Sequence, residues 1–139
     1  KIIGLDLSWP IIKISVKKAD ENIIENINFM HGDAHHIPLK DESMDAVNCC
    51  GALHLFPDVP KALDEIHRVT KPGGCFSAAV LLNGQSLFRK THAYFYETFY
   101  GIHFFQIEEY KELLHSAGFE PAFYHAKRLW MIDVGIRRS

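Results

Sequence analysis

The sequence predicts an α/β domain built on a doubly wound, mostly parallel sheet that closes with an antiparallel hairpin. Three observations carry that reading. Strand-sized apolar runs alternate with helix-periodic segments over residues 2–82, the order that produces parallel strands joined by crossover helices. The first three runs end at acids or glycines, at Asp6, at His31-Gly32-Asp33 and at Gly51. After the last helix, two strand patterns at residues 119–124 and 129–136 flank Ala126-Lys127, a hairpin signature that puts one antiparallel strand at the edge of the sheet.

Each element follows from local chemistry. Ile2-Ile3-Gly4-Leu5-Asp6-Leu7 is a β-branched run ending at an acid. Ser8-Trp9-Pro10 then opens a helix, with Ser8 able to cap it and Pro10 in the first turn, where a missing N–H costs nothing. That helix runs to about Asn22 and places Ile12, Val16 and Ala19 on its buried face. Residues 27–30 form a second strand closed by His31-Gly32-Asp33-Ala34, and a polar loop at residues 40–43 leads to a third strand at residues 46–50.

Asp58 and Pro60 start the next helix, whose stripe is Ala62, Leu63, Ile66 and Val69, with Asp64 and Arg68 at i, i+4 on its wet face. Lys71-Pro72-Gly73-Gly74 stops it. Residues 75–82 are almost continuously apolar, the pattern of a strand covered on both faces. Residues 106–117 form an amphipathic helix that buries Ile107, Tyr110, Leu114 and Ala117 and ends at Gly118.

With 139 residues, 47% of them apolar and 23% charged, the chain has material for one domain and not two. A formal net charge of -2 leaves no electrostatic footprint for nucleic acid or an anionic membrane. No apolar stretch approaches the ~20 residues of a membrane span. Small molecules are therefore the expected partners. Cys49 and Cys50 are adjacent and would face opposite sides of a strand, and Cys75 stands alone, so neither a disulfide framework nor a metal site is expected and a reducing, cytoplasmic setting fits. Lys1 abuts a strand pattern, which leads us to expect a chain that begins inside a domain.

In doubly wound sheets ligands sit beyond the carboxyl ends of the strands, which directs attention to Asp6, Asp33 and residues 51–54. Asp6 either accepts hydrogen bonds from both hydroxyls of a ribose or helps start the next helix at its positive dipole end. Asp33 either shapes a Gly-Asp turn or accepts the exocyclic amine of adenine while the next backbone N–H donates to the ring. Two strand-end acids in succession favour a nucleoside. His54, just past the third strand, either orders the following loop or serves as a general base with a pKa near neutrality. Asp45 begins a strand and has a structural role.

Taken in order, these segments resemble the class I S-adenosylmethionine-dependent methyltransferases, particularly the small-molecule branch that includes the ubiquinone and menaquinone biosynthesis enzymes. The resemblance rests on Gly4-Leu5-Asp6-Leu7-Ser8, on His31-Gly32-Asp33-Ala34 followed by Ile37-Pro38-Leu39, on Ser43-Met44-Asp45-Ala46-Val47, and on Ala62-Leu63-Asp64-Glu65-Ile66-His67-Arg68-Val69-Thr70-Lys71-Pro72-Gly73-Gly74. It implies a Rossmann-like fold, S-adenosyl-L-methionine as cofactor and methyl transfer to a small-molecule acceptor. It further implies Asp6 and Leu7 at the cofactor ribose, Asp33 and Ala34 at the adenine, and Cys50 and Gly51 beside the reacting methyl. Methyl transfer to a good nucleophile can rest on in-line positioning, which makes a base at His54 optional.

One feature of that family has no counterpart in the chain: its first strand and Gly-rich loop would precede Lys1. The missing strand would lie between those ending at Asp6 and Gly51, so residues 1–139 read as a partial domain. Two other readings stay open, a nicotinamide-dependent oxidoreductase and a non-catalytic remnant of the fold. The position of Asp33 and the helix–hairpin ending favour the methyltransferase over the oxidoreductase.

Residues 84–105 read as a substrate-cover insertion. Eight of the seventeen aromatic residues fall between Phe88 and Phe105, too dense a cluster for an ordinary connection. Phe95 and Phe99, at i, i+4, suit a buried stripe in the core. Tyr96, Tyr100 and His103 instead offer hydroxyl and imidazole groups beside apolar rings, as small-ligand sites do, and favour a cover facing an apolar or aromatic acceptor.

Overall fold

The computed structural model describes residues 1–83 and 87–138, with the side chains of residues 84–93 outside that description. The chain divides into two compact units, Lys1–Pro38 and Leu39–Ser139.

In the first unit, β1 (Ile2–Asp6) pairs in parallel with β2 (Ile27–His31), from Ile2 opposite Ile27 to Asp6 opposite His31. Helix α1 (Trp9–Glu21) is the crossover. Pro10 occupies its first turn as expected, but the Ser8 side chain makes no capping bond; the Ser8 N–H donates to Asp6 Oδ1 at 2.7 Å instead. Ile12 and Ala19 are buried and Val16 is not, at 40% exposure. Two strands about 4.8 Å apart make a sheet narrower than a helix ~10 Å across, so only part of the apolar stripe finds cover within the unit.

The second unit carries a four-stranded sheet in the order β3-β4-β6-β5. Its elements are β3 (Met44–Cys50), α2 (Val59–Val69), β4 (Thr70–Leu81), α3 (Leu87–Tyr100), α4 (Ile107–Ser116), β5 (Phe119–Lys127) and β6 (Trp130–Arg137). β3 and β4 are parallel, whereas β6 runs antiparallel to both of its neighbours. The antiparallel strand is therefore inside the sheet and β5 forms the edge. Pro121 gives the physical reason. It lies in β5 beside a register shift, and a residue with no N–H to donate is tolerated at an edge. The hairpin turns at Arg128 and Leu129, with Arg128 at φ 50°.

Asp58 caps α2, accepting from the Lys61 N–H at 3.0 Å, and the expected stripe of Ala62, Leu63, Ile66 and Val69 is buried. Arg68 turns to Glu65 at 2.7 Å and to Asp41 at 2.6 Å, rather than to Asp64. β4 begins immediately at Thr70, so the glycines do not end the helix but lie within the strand. The register jumps from Met44 opposite Thr70 to Ala46 opposite Cys75, and residues 71–74 form the excursion. Gly73 has φ +74°, and a Cβ on Gly74 would stand 2.8 Å from the carbonyl oxygens of Asp45 and Lys71. Asp45 is tied to Lys71 at 2.6 Å.

Along β4, Phe76, Ala78 and Val80 are buried, while Cys75, Ser77, Ala79 and Leu81 are half-buried. One face is sealed, not both. Opposite that face on β6 lie Met131, Asp133 and Gly135. Helix α4 contributes fully buried Tyr110 and nearly buried Leu114, with Ile107 and Ala117 only half-buried at the margins. Its first turn is closed by Glu109 Oε2, which accepts from the Gln106 N–H at 3.1 Å. Beneath it the Tyr110 hydroxyl donates to Asp133 Oδ1 at 2.8 Å, while Asp133 Oδ2 has no hydrogen-bond partner among the described residues. Burial pushes the Asp133 carboxyl up to about 6.

The aromatic segment is a helix, α3, which the sequence reading did not foresee. Phe95 and Phe99 do not enter the core: they are 47% and 70% exposed, their rings 4.8 Å apart on the surface. Phe105 does enter it, fully buried, with its N–H donating to the Leu81 carbonyl at 2.9 Å. The Phe88 side chain and residues 84–86 of the expected cover lie outside the described residues.

Candidate functional site

In the first unit, two carboxylates stand at the ends of adjacent parallel strands. Asp6 ends β1 and spends Oδ1 on the Ser8 N–H, leaving Oδ2 without a hydrogen-bond partner among the described residues. Leu7 follows it, exposed. Asp33 lies just beyond β2, where its Oδ1 accepts from the His35 N–H at 2.9 Å and meets His35 Nδ1 at 2.6 Å. The backbone and side-chain hydrogen bonds of His35 hold the Asp33 carboxyl below the ordinary value. Its Oδ2 has only the longer, 3.7 Å approach of His36 Nδ1. The Ala34 N–H donates to no described atom. Asp33 thus builds a turn and still offers a carboxylate oxygen beside a backbone donor. Gly32 leaves room for the Leu5 side chain, whose Cδ1 would stand 2.8 Å from a Cβ there.

In the second unit, β3 ends at Cys50 and Gly51. Their neighbour Cys49 is turned inward, its thiol pushed up to about 11 by burial, while Cys50 is exposed. Gly51 adopts φ +75°, and a Cβ there would meet nothing within 4 Å, so the strand ends on open space. A 3₁₀ turn, Leu53–Leu55, follows and carries His54. Burial lowers the His54 pKa, and its Nδ1 is buried with no hydrogen-bond partner among the described residues. The His54 carbonyl also accepts from the His103 N–H at 2.7 Å. The His54 backbone thus anchors the loop at His103, while its ring keeps a buried nitrogen with no partner among the described residues.

Tyr96 and Tyr100 lie on the exposed face of α3, their rings 5.5 Å apart. His103 stands in the loop that follows, with Nδ1 3.5 Å from Glu97 Oε1 and Nε2 3.1 Å from Glu109 Oε1. Glu97 and Glu109 escaped sequence reasoning because no spacing signal links residues 97, 103 and 109. Only the position of Glu109 three residues after a helix cap hinted at a role, and that role was structural.

The family model described as a methyltransferase domain matches residues 1–78, more than half of the chain. The chain belongs to the methyltransferase domain family. The demethylmenaquinone methyltransferase of Geobacillus stearothermophilus is 39% identical over 74 residues, 53% of this chain and 32% of the relative, so the match spans about a third of that protein's length. Among solved structures, a Bacillus halodurans protein described as a methyltransferase superposes with a TM-score of 0.88 at 18% identity, covering all of this chain and 84% of its own. A SAM-dependent methyltransferase of Methanosarcina mazei does so at 0.87 and 16%, covering 98% of this chain and 81% of its own. At such identities the likeness shows the fold, and it shows that this methyltransferase domain has the Rossmann-like architecture expected from its strand and helix order. The family match includes Asp6, Asp33, Cys50, Gly51 and His54 and stops short of α3.

Proposed function

We propose that the chain is part of an enzyme that transfers a methyl group from S-adenosyl-L-methionine to a small-molecule acceptor. The observation that carries this reading is the pair of strand-end carboxylates in the first unit: Asp6 keeps one oxygen without a partner among the described residues, and Asp33 keeps one that meets only the 3.7 Å approach of His36 Nδ1. The residues fit the nucleoside part of that cofactor. Asp6 Oδ2 is available to the ribose hydroxyls, with Leu7 beside it. Asp33 Oδ2 and the Ala34 N–H offer the acceptor–donor pair that an adenine edge requires. Cys50 and Gly51 take the place beside the methyl by family resemblance, supported by the open space at Gly51.

When bound, the cofactor supplies an electrophilic methyl on sulfur. The work left to the chain is to orient the donor, exclude water and hold the acceptor in line. His54, kept neutral by burial, can take a proton from an acceptor that must lose one. Calorimetric titration with S-adenosylhomocysteine should give one site per chain, and its inosine analogue should bind several-fold more weakly. No heat from a folded chain would overturn the reading.

The exposed aromatic face of α3 supports its role as acceptor cover, since rings left out of the core are free to meet a ligand. Tyr96→Phe and Tyr100→Phe should change acceptor KM or kcat while leaving cofactor affinity and melting temperature nearly unchanged. Lower stability with unaltered acceptor kinetics would instead make these residues structural.

A further inference from the structure

A cavity of about 610 Å³ opens within the second unit, between the start of α2, the loop of residues 101–105 and the first turns of α4. Phe56, Val59, Ile102, Phe105 and Leu113 give it an apolar lining, and Asp58, Glu97 and Glu109 face it with His103. Its size falls in the range of small-ligand sites. Each carboxylate has a structural duty: Asp58 Oδ1 caps α2, Glu97 Oε1 accepts from the Phe104 N–H, and Glu109 Oε2 closes the first turn of α4. Those bonds hold the side chains in place but do not neutralise them. Among the described residues no lysine or arginine lines the cavity, so even a protonated His103 leaves its described lining with two negative charges in excess.

We propose that this cavity binds an organic cation, an amine or quaternary ammonium on an aromatic or short alkyl body. A cleft with charges of one sign over low-dielectric walls concentrates the opposite charge. The apolar walls then retain the ligand's body, which a hydrated inorganic ion lacks. No group of three His, Cys, Asp or Glu side chains among the described residues is arranged to hold a metal ion, which favours an organic cation. Binding at this cavity needs no cofactor and stands independently of the methyl-transfer reading.

The test uses three probes of matched shape, 3-phenylpropylamine, 3-phenylpropanol and 3-phenylpropanoate, titrated into the ¹⁵N-labelled chain. The amine should bind at least about tenfold more tightly than the carboxylate, shift the amides of residues 101–105, and weaken as salt rises from roughly 0.05 to 0.5 M. The double variant Asp58→Asn with Glu97→Gln keeps an acceptor oxygen at both structural bonds and removes two charges. It should retain its melting temperature and lose most of the preference for amine. Equal binding of the three probes, no amine binding by the folded chain, or an unchanged preference in the folded double variant would each overturn the proposal. S-adenosylhomocysteine binding is followed in parallel, so failure of the cofactor reading registers separately.

Discussion

Replacing Tyr110 with phenylalanine should destabilise the second unit by about 2–3 kcal/mol at neutral pH and by much less near pH 4. The hydroxyl is the hydrogen-bond donor to Asp133 Oδ1, and Oδ2 has no partner among the described residues. Removing it leaves a buried carboxyl wholly unsatisfied, a loss at the upper end for hydrogen bonds to charged groups. For a unit of about a hundred residues this corresponds to a melting temperature lower by roughly 10–20 °C. The pH dependence follows from the direction of the Asp133 shift. Its folded pKa of about 6 lies above the reference value of 3.8, so the folded state holds the proton more tightly. Stability is therefore fully present below pH 3.8 and declines as pH rises through about 6, by about 3 kcal/mol in all. In the variant the ionised form is still less favoured, so the decline should be steeper and extend to higher pH. Melting curves between pH 4 and 8 measure both effects. A variant that melts with the wild type at every pH would show that the pair contributes nothing.

Asp6→Ala should weaken binding of S-adenosylmethionine or S-adenosylhomocysteine at least tenfold. Hydrogen bonds from ribose hydroxyls to a charged acceptor are worth roughly 1.5–3 kcal/mol each, and one such loss already corresponds to about tenfold or more. Asp6 also accepts from the Ser8 N–H at the start of α1, so an alanine variant could fail through the turn as well as through the ligand. Asp6→Asn separates the two: it retains an oxygen for Ser8 and loses the charge. Intermediate affinity for asparagine, with both melting temperatures near wild type, is the expected calorimetric result. Unchanged affinity in both variants would remove Asp6 from the site.

What the sequence made legible was local. Helices α2 and α4 showed themselves through apolar stripes, bounded by Asp58 and Pro60 at the start of α2 and by Gly118 at the end of α4, and β1 and β2 through short runs ending at Asp6 and His31. Helix α3 was hidden because its aromatics include the consecutive Tyr94-Phe95-Tyr96 and because the helix turns them outward, so no stripe facing a core could announce it. The place of β6 depends on pairing across more than fifty residues, from Cys75 to Ile136, and neither strand's own residues encode that partner. Arg68 likewise found Asp41, twenty-seven residues away, where local spacing suggested Asp64. Asp6, Asp33 and Gly51 were legible because strand ends in this architecture are ligand positions. The acidic cavity was not, because its carboxylates come from three separate segments that only the fold brings together.

The interior position of β6 also sets an order of events during synthesis. β4 is complete at residue 81, yet its second partner is the last described strand and lies beyond residue 129. Until that segment leaves the ribosome, β4 presents an unpaired edge of apolar residues, and α4 lacks Asp133 for its tyrosine. Non-local pairing of this kind is slow to form, and exposed edges during the delay invite association with other chains. The second unit therefore closes only once β6 has been made and the hairpin is seated against β4, and the nascent chain is most in need of a chaperone's cover while residues 82–129 are being made.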